Sequence, residues 1–361
     1  MKEITQKILA GTSFLLLLLG LFWMGQNKPV KAVKAVYHWK TDFEESWESG
    51  ARDSFLVEHS IRKIYVKMLD VDFSEAAGIF PASKTNMPYS FSQNFDSVTF
   101  VPVIYISNSV MKNMKSNQIE FFSKQFLVHA LRIETYTRMK VYEIQVDCDW
   151  TEGTKETYFQ VLKTMKKWAP QLQFSVTLRL YPFKYREELG IPPADRVMLM
   201  VYNINNAKKF SNKNSIFDAH EASKYLKRKS YPLPMDIALP VFSWSLIFRN
   251  QQFLKVFSSS IIPTIYGREM EDESNETCLK KLTKTMYLVQ QKPSGYDPFD
   301  LRAGDIIKIE SCGEMELKEA SLITYGLPIN ESSTIALFDL DMNDLNQISY
   351  DQIESAFTLF H

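Results

Sequence analysis

Strand-like and helix-like patterns of apolar residues alternate along the chain. "KAVYHWKT" reads as a first strand, residues 63–73 as a second and "SVTFVPVIYIS" as a third. "YEIQVDCDW", "QFSVTLRL", "RVMLMVYNI", "MDIALPVFSW" and "STIALFDLDM" follow as the fourth to the eighth. Between the third and fourth, Ile119, Phe122, Phe126, Ala130 and Ile133 recur at helical spacing. Tyr158, Val161, Leu162 and Met165 do the same after the fourth, and Pro170 closes that helix. Another helix runs through "AHEASKYLKR".

Eight strands with helices between several of them predict an α/β fold, a (β/α)8 TIM barrel over residues 33–361. An open doubly wound sheet is the runner-up, but no glycine-rich phosphate loop follows any strand. The connection from the seventh strand to the eighth is long, which places an insertion at about 268–333. The reading inside it is a helix near 279–290, a short strand "GDIIKIE" ending in Glu310, and a helix in "MELKEASLITYGL". An alternative count makes "DIIKIE" the eighth barrel strand and leaves "STIALFDLDM" as an extra one.

Residues 1–27 stand apart from this pattern. A short charged head precedes an apolar run at 8–25, in the order of a signal peptide or a single membrane anchor. An exported protein is expected, periplasmic or extracellular, held to the membrane by this segment if it is not cleaved.

Composition narrows the partners. With 42 basic and 42 acidic residues the formal net charge is +0, which gives no footprint for nucleic acid. Cys148, Cys278 and Cys312 are too few and scattered for a disulfide framework or a zinc site, although a Cys278–Cys312 bridge fits an oxidising compartment. The five histidines lack ligand spacing, so no metal and no cofactor is expected. His129 lies beside an apolar helix face and reads as structural; His38 ends the first strand and is a pocket candidate.

Chemistry concentrates in "QVDCDWTEG". Alternation along a strand puts Gln145, Asp147 and Asp149 on one face and Val146, Cys148 and Trp150 on the other. Ser175, Thr177 and Arg179 likewise share the polar face of the next strand. In a barrel the apolar faces meet the helices and the polar faces line the interior, near the strand ends where such folds carry their sites. Arg179 is then placed to pair with one of the two aspartates.

These segments resemble the chitinase-type glycoside hydrolases of family eighteen. That family's fourth strand ends in D-x-x-D-x-D-x-E, and Asp147, Asp149 and Trp150 match its middle and end. "MVYN" with Met200, Tyr202 and Asn203 resembles its M-x-Y-D, and "IALPVFSW" with Trp244 resembles its seventh strand. The resemblance covers roughly residues 140–345. It implies a carbohydrate ligand and a catalytic group of Asp147, Asp149 and Glu152. It also implies a sugar-binding set of Tyr202, Asn203, Arg179, Trp150 and Trp244, with Tyr202 as a contact to the sugar's acyl group. The departures are specific. Thr151 stands where the family has its general-acid glutamate, Glu152 comes one residue later, and Asn203 replaces an aspartate.

Two functions fit. One is a glycan-active hydrolase using a shifted acid. The other is a catalytically inactive carbohydrate-binding or envelope-associated barrel. The further pairs Asp70/Asp72 and Asp339/Asp341 read as helix caps or structural groups.

Overall fold

The computed structural model describes residues 32–41, 50–86, 98–258, 278–292, 297 and 299–358. The leader expected at 1–27 lies outside them. Among the described residues no helix is long and apolar enough to cross a membrane.

The strands in chain order are β1 (Val33–His38), β2 (Lys63–Ser74), β3 (Gly78–Lys84), β4 (Thr99–Ile106) and β5 (Glu143–Asp147). β6 (Gln173–Arg179), β7 (Arg196–Met200), β8 (Met235–Pro240), β9 (Ser243–Arg249) and β10 (Gln252–Ser258) follow. β11 (Leu279–Lys281), β12 (Met286–Val289), β13 (Ile306–Ser311) and β14 (Thr334–Phe338) complete the set. One sheet runs β1-β14-β8-β7-β6-β5-β4-β2, and a β1–β2 pairing closes it. All of these pairings are parallel. The result is a closed eight-stranded (β/α) barrel whose strands coincide with the eight read from the sequence. β3 adds an antiparallel hairpin to the end of β2.

The helices sit where apolar spacing puts them. Helix α1 (Gly50–Glu58) follows β1, α2 (Ile119–Leu131) precedes β5, and α3 (Lys155–Trp168) links β5 to β6. α3 buries Tyr158, Val161, Leu162 and Met165, one face of a 3.6-residue repeat. α4 (Glu314–Thr324) and α5 (Tyr350–Thr358) flank β14. In "AHEASKYLKR" only Ala219–Ser223 is helical, capped by Asp218, whose carboxylate accepts from Glu221 N at 3.0 Å.

A second, antiparallel sheet of five strands, in the order β10-β9-β13-β12-β11, fills the excursion between β8 and β14. It starts at Ser243, directly after β8, whereas connection length alone places the insertion at about 268–333. The helix expected near 279–290 is replaced by β11 and β12. Leu279, Tyr287 and Val289 face a small separate core with Ile247, Leu301 and Ile307. Strands of three and four residues offer too few positions to distinguish a period of two from one of 3.6. "DIIKIE" is β13 of this sheet, and β14 is the strand that closes the barrel. Cys148, Cys278 and Cys312 are all buried, and Cys312 forms no disulfide, so no Cys278–Cys312 bridge forms.

Candidate functional site

The barrel interior is polar in layers along β5. At the N-terminal end Glu143 accepts from Lys63 Nζ at 2.9 Å. Beside it Arg196 grips Asp236 with Nε–Oδ2 at 2.7 Å and Nη2–Oδ1 at 2.6 Å. One layer up, Tyr37 Oη donates across the lumen to Gln145 Oε1 at 2.6 Å, and Gln145 Nε2 donates to Ser175 Oγ at 3.4 Å. Tyr65 stacks on Tyr37 with centroids 4.7 Å apart. Next, Thr177 Oγ1 donates to Asp147 Oδ1 at 2.6 Å. At the rim Arg179 Nε donates to Asp149 Oδ1 at 2.8 Å, with Nη2 3.4 Å from Oδ2. β5 and β6 are therefore polar inside and apolar outside, and Gln145, Asp147 and Asp149 meet Ser175, Thr177 and Arg179 in turn.

Asp147 is buried beneath this rim. Desolvation raises its carboxyl to about pKa 6, and the nearby Asp149 charge adds to the rise, while Arg179 and the Thr177 bond oppose it. Tyr105, at the end of β4 in register with Asp147, has its phenol pushed up by burial and then by Asp147 and Asp149.

An aromatic arc forms the other side. Phe338, the last residue of β14, stacks on Tyr202 at 4.6 Å and lies 5.4 Å from both Tyr37 and Trp39. Phe242 bridges Tyr202 at 5.7 Å and Trp244 at 5.4 Å. The Arg179 guanidinium carbon lies 5.8 Å from the Tyr202 ring centroid, joining the two arcs. Tyr202 is itself buried, and its hydroxyl donates to Met200 Sδ at 2.7 Å.

Above lies an open cavity of about 610 Å³, bordered by Asp149, Arg179, Tyr181, Tyr202, Asn205 and Trp244 among others. That volume suits a ligand of a few sugar rings. One wall is the loop after β7. Asn203 starts it at φ +56°, a left-handed conformation that asparagine adopts more readily than most residues. The loop is tied to itself by Asn205 Nδ2 donating to Asn214 O at 3.0 Å, and to the second sheet by Asn214 Nδ2 donating to Ser311 O at 2.9 Å. Trp244 is the second residue of β9, and its Nε1 donates to Glu310 Oε2 at 2.7 Å. The same Glu310, buried in β13, accepts from Ser215 Oγ and pairs with the buried Lys308.

The structure thus brings together Asp147, Asp149, Arg179, Tyr202, Asn203 and Trp244. Trp150 borders the cavity as a fixed wall. It is buried, its ring stacks on Tyr158 at 5.4 Å, and its Nε1 donates to Leu189 O at 3.0 Å. Glu152 does not join them. β5 ends at Asp147, and the chain then turns, with Thr151 N donating to Thr154 Oγ1 at 2.9 Å and Lys155 N to Thr151 O at 2.9 Å. That turn starts α3 and leaves Glu152 exposed, away from the cavity lining. The acid expected there is therefore outside the pocket.

Of the remaining candidates, His38 is buried at the end of β1 and His129 is half-buried on α2. Asp72 accepts from Ser107 Oγ at 2.6 Å. Asp341 caps a short helix through Asn343 N at 3.0 Å and accepts from Lys40 Nζ at 2.7 Å. Burial, then the Asp341 charge, lifts its neighbour Asp339 to about pKa 7. Among the described residues no group of three or more His, Cys, Asp or Glu side chains could hold a metal ion. Sequence reasoning missed Tyr105, Phe338, Asn205 and Lys208. The strand-end position of the first two was a usable signal; the loop residues carried none.

The site and fold thus define a closed (β/α)8 barrel with an open polar–aromatic mouth. No protein-family model matches the chain, and no curated protein does. Solved structures similar to it include the chitinase-like agglutinin RobpsCRA from Robinia pseudoacacia, at 11% identity and a TM-score of 0.46 over 91% of this chain and 99% of that one. The ICChI chitinase from Ipomoea carnea shares 9% identity, with a TM-score of 0.45 over 90% of this chain and 99% of that one. Concanavalin B shares 11%, with a TM-score of 0.39 over 86% and 93%. At these values the barrel assignment rests on the chain's own strand order.

Proposed function

We propose that this barrel binds a carbohydrate in the 610 Å³ cavity without cleaving it. The observation that carries the reading is the Asp149–Arg179 pair at the barrel rim, with Tyr202 and Trp244 beside it on the cavity lining. A carboxylate and a guanidinium side by side offer acceptors and donors to vicinal hydroxyls, and flat aromatic faces take the apolar faces of sugar rings. Cleavage would require an acid able to protonate a leaving oxygen. Thr151 holds the expected position inside the turn, and Glu152 is directed to solvent. Asp147 is buried below Asp149, and its carboxylate accepts from Thr177 Oγ1.

The apolar run at 8–25 supports export or anchoring of this binding barrel. Cell fractionation should find the protein outside the cytosol; full-length protein free in the cytosol refutes export.

The decisive experiment applies the full chain to a broad glycan array and scores binding and reducing-end release separately. Binding without release is expected. Asp149→Ala should weaken a verified ligand by about 1–3 kcal/mol, the scale of an unpaired polar partner. Sustained release of reducing ends refutes the non-hydrolytic reading, and unchanged binding by the variant refutes the site.

A further inference from the structure

The segment after β7, part of which walls the cavity, carries a charge that the chain as a whole does not. Seven residues between 203 and 229 are Lys or Arg and two are Asp or Glu, a surplus of five positive charges in a protein of formal net charge +0. All seven basic side chains are exposed. Some are paired. Glu221 accepts from Lys224 at 2.7 Å and Lys213 at 3.3 Å, and Arg228 lies 3.1 Å from Glu187. Lys208 is different. It lines the cavity, its ammonium lies 6.0 Å from the Phe253 ring centroid, and it forms no ion pair among the described residues.

The charged groups bordering the cavity are Asp149, Arg179 and Lys208. Asp149 and Arg179 neutralise each other's charge across the 2.8 Å bond, leaving Lys208 as the uncompensated charge. A neutral oligosaccharide offers that ammonium no opposite charge, whereas an anionic one does. Asn206, beside it on the lining, supplies an amide donor for the same anion.

We infer that the ligand is an acidic glycan, whose sugar ring rests against the half-buried Trp244 ring while its anionic substituent meets Lys208. This rests on the reading of the cavity as a glycan site. The substituent is a carboxylate or a sulfate ester, since both present oxygens to an ammonium as a point charge.

The test uses the full chain and an array of neutral oligosaccharides paired with their uronate and sulfate-ester counterparts of the same linkage. The acidic member of a bound pair is expected to bind about tenfold or more tightly at low salt, with the gap closing toward 0.5 M salt as screening removes it. Which acidic arm wins identifies the substituent. Lys208→Gln and Lys208→Glu should lower acidic-glycan affinity, the second more than the first, while the neutral partners hold steady. Both changes are at an exposed side chain, so an unaltered melting temperature confirms that folding is intact. Equal affinity for neutral and acidic members overturns this inference and leaves the glycan site standing. Absence of binding to every member overturns both.

Discussion

Two arginine–aspartate pairs sit inside one barrel, and they serve different ends. Arg196–Asp236 lies at the N-terminal floor, with side-chain exposures of 8% and 0%. Arg179–Asp149 lies at the C-terminal rim, at 28% and 47%. The floor pair is saturated: two short bonds join the partners, Arg196 Nη2 also donates to Ser332 O at 2.7 Å, and Asp236 Oδ1 accepts from Thr334 N at 2.6 Å. The rim pair has one good bond and one long one, and it faces the cavity. The difference teaches that pairing alone does not make a site. Exposure and residual hydrogen-bonding capacity do, and the pair lacking both is architecture.

The sharpest way to break this contrast is to remove the acid from each pair. Asp236→Ala leaves a buried guanidinium and the Thr334 amide without their acceptor, and should cost about 3–5 kcal/mol in denaturant unfolding. Asp149→Ala should cost about 1 kcal/mol or less, because water replaces its partner. Equal losses would erase the distinction between floor and rim.

Smaller effects probe the walls of the rim. Glu310 holds Trp244 and Ser215 from the second sheet, so a double-mutant cycle of Glu310→Ala with Trp244→Phe should show a coupling of about 0.5–3 kcal/mol. Additive losses would mean that the indole is positioned by its ring contacts alone.

Burial raises a carboxyl at each end, Asp236 on the floor to about 6 and Asp339 near the mouth to about 7. Asp339 titrates at about 7 in the folded protein, above the ordinary carboxyl value of 3.8, so the folded state holds its proton more firmly than the unfolded chain. Its contribution is most favourable below the unfolded value, declines as pH rises from about 4 to 7, and is level above that. Asp339→Asn should therefore flatten melting temperature against pH in that window and exceed the parent at pH 8. A variant that tracks the parent throughout places the titration elsewhere. Last, Glu152→Ala should change stability by no more than about 0.5 kcal/mol and leave glycan binding intact, as expected for an exposed side chain away from the lining. A loss of binding would return Glu152 to the site.

The barrel was legible in the sequence because each of its strands is long enough to show which face is apolar. Gln145, Asp147 and Asp149 opposite Ser175, Thr177 and Arg179 even gave the rim ion pair, since adjacent parallel strands carry like-facing residues into contact. Glu152 escaped because strand alternation stops at Asp147 and a hydrogen-bonded turn, local in chemistry but invisible to periodicity, sets its direction. Phe338 and Lys208 escaped because non-local closure brings them to the mouth: one ends the last strand, the other rides a loop braced by a different sheet. The start of the second sheet at Ser243 was hidden because only two residues separate it from β8, and "IALPVFSW" reads as one run.

The hydrogen bonds around Asp236 bear on how the chain can vary. The carboxylate waits at the entry of β8 and receives the first amide of β14, a strand that returns only after the whole five-stranded excursion. The register of the closing strand is thereby written at its landing point rather than in the length of its tether. Because the entropy of a tether grows only logarithmically with its length, segments of many sizes can be spliced between β8 and β14 while the last stave still seats in the same notch. The excursion that walls the cavity is free to diversify, and with it what the cavity selects, on a cask that stays shut.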